Sequence, residues 1–372
     1  MRILVLNWRD ISHPIAGGAE VYVHEIMKRW VASNCDVTQI CAGFKNGKKY
    51  GEIDGVKIIR LGNTYSLYIK AAFELLKGKN DFDVIFESVN TVPFFAPLFT
   101  KTPVVALIYE YVTPLLLAFE SPVLAIPSSM FQSLIPPVYK NSTIITISES
   151  AKKQLIDFGL NPKKTFIVRP GVNSSLYEDC DVTKKKFAKR VIYLGRLVRY
   201  KGLLSMVKEF RKVVDKCPSA EFYIVGRGYL LPEIQKLIGK LKLEKNVVLS
   251  GFVSEKDKKS LLFDSAVTVY PVDYFDGGWA IAEGEAMALG DVLVTTVNLQ
   301  DMVYESKAGF VGPVNTFSQS ICKLFENEPL WRELSTKTAE WARQFTLDKI
   351  ASETLEIILN AANSEYSKKK QI

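Results

Sequence analysis

Short apolar runs alternate, along nearly the whole chain, with longer stretches whose apolar residues recur at every third or fourth position. The runs predict buried parallel strands, rich in Val, Ile and Leu because both faces are covered, and the periodic stretches predict amphipathic helices. In the first half, strands are expected at 3–6, 36–41, 57–61, 84–87, 104–108, 143–147 and 165–168, with a helix of apolar spacing at Val21, Val23, Ile26, Met27 and Trp30 after the first of them. The second half restarts the rhythm, with strands at 191–194, 221–225, 247–249, 267–270 and 292–295 and helices near 202–216, 231–241, 254–263 and 278–289. Alternation of this kind builds an α/β fold with a doubly wound parallel sheet. A restart without a short-period repeat means two Rossmann-like domains in succession, expected to face each other across a cleft.

Length agrees, since 372 residues exceed what one ordinary core organises. The expected linker is the polar connection at 173–189, which carries Lys184, Lys185, Lys186 and Lys189 and reads as a solvated charge run. It separates a domain at 1–172 from a second at 190–346, and the amphipathic pattern within 347–372 is expected to pack back on the first domain. The net charge of +8, spread over both halves, favours an anionic partner but not nucleic acid. Five cysteines without CxxC spacing and only two histidines argue against a disulfide framework or a zinc site, so a reducing, cytoplasmic setting is expected. Residues 2–6 already read as a strand, and no leader is expected ahead of them. No uninterrupted apolar run approaches the roughly 18 residues of a membrane span. Segment 113–139 holds a single charge, Glu120, among apolar residues broken by five prolines. It reads either as core between elements or as a surface for a greasy acceptor or for the inner face of a membrane.

Two loops carry candidate chemistry. After the strand at 267–270 come Gly277 and Gly278 and then a helix, whose first turn offers unpaired N–H groups and a positive dipole end to an anion. Glu285, deeper in that helix, could accept two hydroxyls of a sugar ring. After the strand at 191–194 come Gly195, Arg196 and Lys201, where a tight turn at a carboxyl end presents a guanidinium fork and an ammonium to the same neighbourhood. These groups could neutralise a diphosphate without a metal; Asp273 and Asp276 are spaced differently from an Asp-x-Asp pair, so neither metal nor cofactor is expected. A third loop, with Gly17 and Gly18 ahead of the helix at 21–30, lacks both GxGxxG and GxxxxGK[ST], which excludes the usual dinucleotide and ATP signatures. The ordinary reading of the first loop is a buried βαβ unit, and of Arg196 or Lys201 alone a surface charge.

Gly195-Arg196-Leu197 with Lys201-Gly202, Val225-Gly-Arg-Gly228, Gly251-Phe-Val253, Glu285-Ala-Met-Ala288 and Gly17-Gly-Ala-Glu20 follow one another in an order that resembles the family 4 retaining glycosyltransferases of GT-B fold. The resemblance covers essentially the whole chain. It implies a nucleoside-diphosphate sugar, UDP or GDP, as donor, held by the second domain, and a glycan or lipid-linked hydroxyl as acceptor on the first. It adds Gly226, Phe252, Val253, Trp279 and Ala280 to the donor residues Gly17, Gly18, Gly195, Arg196, Lys201, Gly277, Gly278 and Glu285. The family's paired carboxylates lie eight apart; Glu285 is the second, and Asp276, or less readily Glu283, stands in for the first. The implied catalytic set is therefore Arg196, Lys201, Asp276 and Glu285. Tyr109 and Glu110 replace a common His-Asp on the acceptor side, and 298–301 replaces a Gly-Gly-x-x-Glu. A nucleotide-sugar epimerase of the same architecture and a non-catalytic donor-binding protein are the competing readings.

Overall fold

The computed structural model describes residues 1–78, 82–111, 129–272 and 278–369. It divides into two compact units, 1–171 with 347–372 and 172–346.

In the first unit, β1 (Arg2–Leu6), β2 (Asp36–Cys41), β3 (Tyr50–Ile53), β4 (Val56–Arg60), β5 (Val84–Val89), β6 (Val104–Ile108), β7 (Thr143–Thr146) and β8 (Thr165–Ile167) form one sheet in the order β3-β4-β2-β1-β5-β6-β7-β8. All neighbours are parallel except β3 and β4. That hairpin was absent from the strand reading, yet Asp54 and Gly55 both adopt positive φ (50° and 80°), the signature of a two-residue turn matched to strand twist. β1 and β6 are buried along almost their full lengths, as parallel strands covered on both faces must be. Helix Gly18–Ala32 lays Tyr22, Val23, Ile26, Met27 and Trp30 inward. Helix Leu347–Lys369 returns to it: the Trp30 indole donates to the Ala351 carbonyl (3.0 Å), and Arg29 meets Asp348 (2.6 Å).

In the second unit, β9 (Arg190–Leu194), β10 (Glu221–Val225), β11 (Val247–Gly251), β12 (Val267–Tyr270), β13 (Val292–Thr295) and β14 (Phe310–Val311) run in the order β11-β10-β9-β12-β13-β14, parallel throughout. Helix Leu203–Lys216 shows how burial is achieved: Leu203, Met206, Val207, Phe210, Val213 and Val214 form one stripe at helical spacing, each contributing about 1.5–3 kcal/mol when removed from water.

The segment read as a solvated linker is part of this second unit. Lys185 is fully buried, its Nζ donating to Asp291 Oδ1 (2.5 Å) and to the Leu262 and Leu289 carbonyls (3.2 and 2.8 Å). A charge run does not reveal which of its lysines turns inward. The chain instead changes unit at two adjacent positions: Val172 donates to the Phe345 carbonyl (2.7 Å) and bridges Thr346.

Candidate functional site

In the second sheet the chain leaves β9 for β10 on one side and β12 for β13 on the other, so the loops after β9 and β12 flank the topological switch point. Open α/β sheets bind ligands at the carboxyl ends of such strands. These are the two loops singled out by their glycines and cations. Backbone contact holds them together: a Cβ at Gly202, whose φ is 68°, would stand 1.8 Å from the Pro271 carbonyl oxygen; the loop after β10 closes as tightly on the first of them, a Cβ at Gly226 standing 1.9 Å from the Gly195 carbonyl oxygen. No side chain fits at either place.

On this frame the two cations are set by tyrosines. The Arg196 guanidinium donates to the Tyr200 hydroxyl (2.6 Å), and the Tyr193 hydroxyl donates to the Arg196 carbonyl (2.9 Å). Lys201 Nζ donates to the Tyr270 hydroxyl (2.7 Å) and lies 5.2 and 4.8 Å from the Tyr200 and Tyr270 rings, close enough for cation–π attraction. Tyr200 and Tyr270 are themselves buried. Both cations are thereby oriented at the carboxyl end of β9.

The helix after β12 starts later than its sequence suggests. It spans Ile281–Ala288, with Ala280 as an extended N-cap (φ −128°, ψ 134°) and Gly278 in the left-handed region just before it. Asp276 and Gly277 lie outside the described residues. The side chain of Trp279, a residue expected at the donor, packs in the core on Trp341 and Phe345 at ring separations of 5.0 and 5.1 Å. What this position can still offer a ligand is backbone.

Glu285 projects to Lys258 Nζ (2.8 Å), which also meets Glu255 (2.8 Å). Burial pushes the Glu285 carboxyl up, and the Lys258 ammonium opposes that shift. Lys258 was missed in the sequence, where its i,i+3 spacing from Glu255 looks like an ordinary surface pair. Beyond β11, Phe252 is 72% exposed with the Arg227 guanidinium 5.2 Å from its ring centre, and Val253 is half-buried beside it. The Asn298 amide donates to the Val272 carbonyl (2.6 Å), so the 298–301 substitution secures the backbone entering the loop after β12.

The first unit has its own switch point after β1. Gly17 and Gly18, expected at the donor, stand at the end of the loop that follows it. Both are exposed, but the Gly17 N–H donates to Glu20 Oε2 (2.8 Å), and the other Glu20 oxygen accepts from the Trp8 indole (2.5 Å) with Arg9 at 3.7 Å. The helix caps itself. Tyr109, following β6, is half-buried with its hydroxyl enclosed, which drives its phenol well above the usual range; that hydroxyl faces Ser88. Glu110 is half-buried beside it. Among the described residues no group of His, Cys, Asp and Glu is arranged to hold a metal.

Two family models match the chain consecutively: "Glycosyltransferase Family 4" over residues 16–176 and "Glycosyl transferases group 1" over residues 180–344. The chain belongs to the group 1, family 4 glycosyltransferases. Its fold is that of the GT-B members: sucrose-phosphate synthase from Thermosynechococcus elongatus superposes with a TM-score of 0.79 at 16% identity, covering 98% of this chain and 99% of that one. Anabaena HepE, solved with UDP and glucose, gives 0.74 at 17% identity over 97% of this chain and 100% of its own. Among curated glycosyltransferases, the poly(glycerol-phosphate) alpha-glucosyltransferase of Bacillus subtilis is 24% identical over 224 residues, 58% of this chain and 32% of that protein. A colanic acid biosynthesis glycosyltransferase assigned in Salmonella typhimurium is 26% identical over 193 residues, 50% of this chain and 48% of that one. The alignments thus span a third to about half the length of these curated relatives.

Proposed function

We propose that this glycosyltransferase-family protein moves a hexose from a nucleoside-diphosphate sugar, UDP or GDP, to a hydroxyl of a glycan or lipid-linked acceptor, with retention and without a metal. The observation that carries this reading is the placement of Arg196 and Lys201 beside the loop after β12 at the switch point of the second sheet. As the anomeric bond breaks, charge develops on the leaving diphosphate. Cations already oriented by tyrosine hydroxyls stabilise it without reorganising. Glu285 holds the ribose hydroxyls, exchanging part of its contact with Lys258 for them, and the exposed Phe252 ring gives the base a face to stack on. The UDP-bound neighbour HepE, similar in fold, supports a nucleotide-sugar donor.

The first unit takes the acceptor in this scheme, with Tyr109 and Glu110 near it and the exposed Met130, Phe131 and Leu134 favouring an amphiphilic molecule at the inner membrane surface. The rest of segment 113–139 up to residue 128 lies outside the described residues. Among the described residues no helix is long and apolar enough to cross a membrane, so contact there would be peripheral. The test is transfer from a panel of labelled UDP- and GDP-sugars to candidate acceptors, with and without EDTA. Nucleoside diphosphate release that depends on acceptor and survives EDTA upholds the proposal. Donor epimerised without acceptor, or donor bound and never cleaved, points to one of the competing activities.

A further inference from the structure

Two adjoining cavities of about 370 and 480 Å³ open beside the carboxyl ends of β2 and β4 in the first unit, sharing Lys49, Arg60 and Gly62 in their walls. The walls are fixed from within. Gly43 donates to the Gly62 carbonyl (3.0 Å), and the Arg60 amide and Nη1 donate to the carbonyls of Lys49 and Lys48 (2.8 Å each). Arg60 has its own counter-ion, Asp10, at 2.7 Å. Lys77 has Glu74, also at 2.7 Å. Among the described residues no carboxylate pairs with Lys45, Lys49 or Lys70. Lys70 Nζ lies against Gly62, 3.2 Å from where a Cβ would stand.

Lys45 in the first cavity, Lys70 in the second and Lys49 in both, with Lys49 also 5.0 Å from the Tyr50 ring, outnumber the one wall carboxylate, Glu74, and raise a local positive potential that an anion relieves. From this we infer that the paired cavity is a phosphate-binding subsite, taking a phosphate or diphosphate group carried by the acceptor. The inference rests on the acceptor role given to the first unit and adds a substrate class to it: an acceptor that is itself phosphorylated. Phe73 borders the second cavity, and with Ile69 and Leu76 it leaves the helix Leu67–Leu76 with three large apolar side chains exposed at i, i+4 and i+7. The bound phosphate therefore sits beside an apolar surface suited to a tail.

Lysine-selective acetylation of the whole protein, read residue by residue by mass spectrometry, tests this. Probes are inorganic pyrophosphate, phosphatidylglycerol vesicles and phosphatidylcholine vesicles, with the exposed Lys184 as reference. Near saturation the labelling rates of Lys45, Lys49 and Lys70 should fall about tenfold relative to Lys184, because a ligand at ten times its Kd leaves about a tenth of sites open. Protection by pyrophosphate marks a site for free phosphate groups; protection by phosphatidylglycerol vesicles alone marks a site for lipid-borne ones. Unchanged rates with all three probes, or equal protection by phosphatidylcholine, overturn the inference. Lys201 is read in the same spectra. Its protection by pyrophosphate reports the proposed donor site separately, so failure of one assignment is not mistaken for failure of the other. A Lys45→Ala/Lys49→Ala/Lys70→Ala variant should keep Lys201 protection and circular dichroism unchanged while losing vesicle or pyrophosphate binding through the cavity.

Discussion

The two sheets solve the same problem, a polar switch point at strand carboxyl ends, in opposite ways. The first unit surrounds buried carboxylates with donors: Glu20 with Trp8 and Gly17, Asp10 with Arg60 and Ser12, Glu87 with the Tyr139 hydroxyl (2.5 Å) and the Phe94 amide (2.6 Å). The second unit instead holds the cations Arg196 and Lys201 with tyrosine hydroxyls. A carboxylate saturated by its own chain is a structural strut, whereas the cations oriented by phenols are the ones the proposed donor diphosphate meets. The second unit nonetheless has struts of the first kind, among them Glu209, which accepts from the Ser318 hydroxyl (2.5 Å), and the buried pair Lys185–Asp291. The Lys185–Asp291 strut joins the former linker region to the start of β13, outside the loops after β9 and β12.

Breaking the Lys185–Asp291 strut should give the largest effect. Asp291→Ala strands a buried ammonium and is expected to cost about 3–5 kcal/mol in urea unfolding, whereas Lys185→Met with Asp291→Leu should come out near neutral. If single and double variants are equally destabilised, packing rather than charge dominates there. Lys201→Ala should lower transfer turnover about 10²–10³-fold with unchanged unfolding midpoint, as removal of one preorganised charge-stabilising donor does elsewhere. A matching loss of stability would make Lys201 a strut after all.

Glu87 sharpens the contrast through pH. Burial pushes its carboxyl up to about 7 from an ordinary 4.5, against the pull of the Tyr139 hydroxyl and nearby amides. The folded state therefore binds this proton more tightly than the unfolded state. The resulting stability is fully present below pH 4.5 and is lost as pH rises from there through about 7, up to about 3 kcal/mol. Glu87→Gln, which stays neutral, should gain on the wild type between pH 5 and 8 in thermal unfolding; a constant difference would contradict it. The smallest effect is expected from Tyr270→Phe, which removes the hydroxyl that fixes Lys201 and should slow turnover about threefold to tenfold, the value of one net hydrogen bond.

Much of this was legible in the sequence, for physical reasons that also explain what was not. Strands such as 3–6 and 104–108 announce themselves because burial on both faces demands unbroken apolar runs. The β3–β4 hairpin was signalled only by Asp54-Gly55, since β3 is exposed and has no such run. β14, with two residues, is too short for any periodicity. Arg196 and Lys201 could be found because a glycine turn fixes their neighbourhood within the chain. Lys258 opposite Glu285 and Trp341 over Trp279 could not, because those contacts join elements distant in sequence. Lys185 was misread because its neighbours in the same lysine run are exposed.

The most direct test of a diphosphate site at the second switch point is calorimetric titration of UDP and GDP into the wild type and into Arg196→Ala/Lys201→Ala. The account predicts that one of the two nucleotides binds the wild type and that the double variant, with its unfolding midpoint intact, loses at least about a hundredfold in affinity, some 2.7 kcal/mol. Equal affinity in both proteins would contradict it.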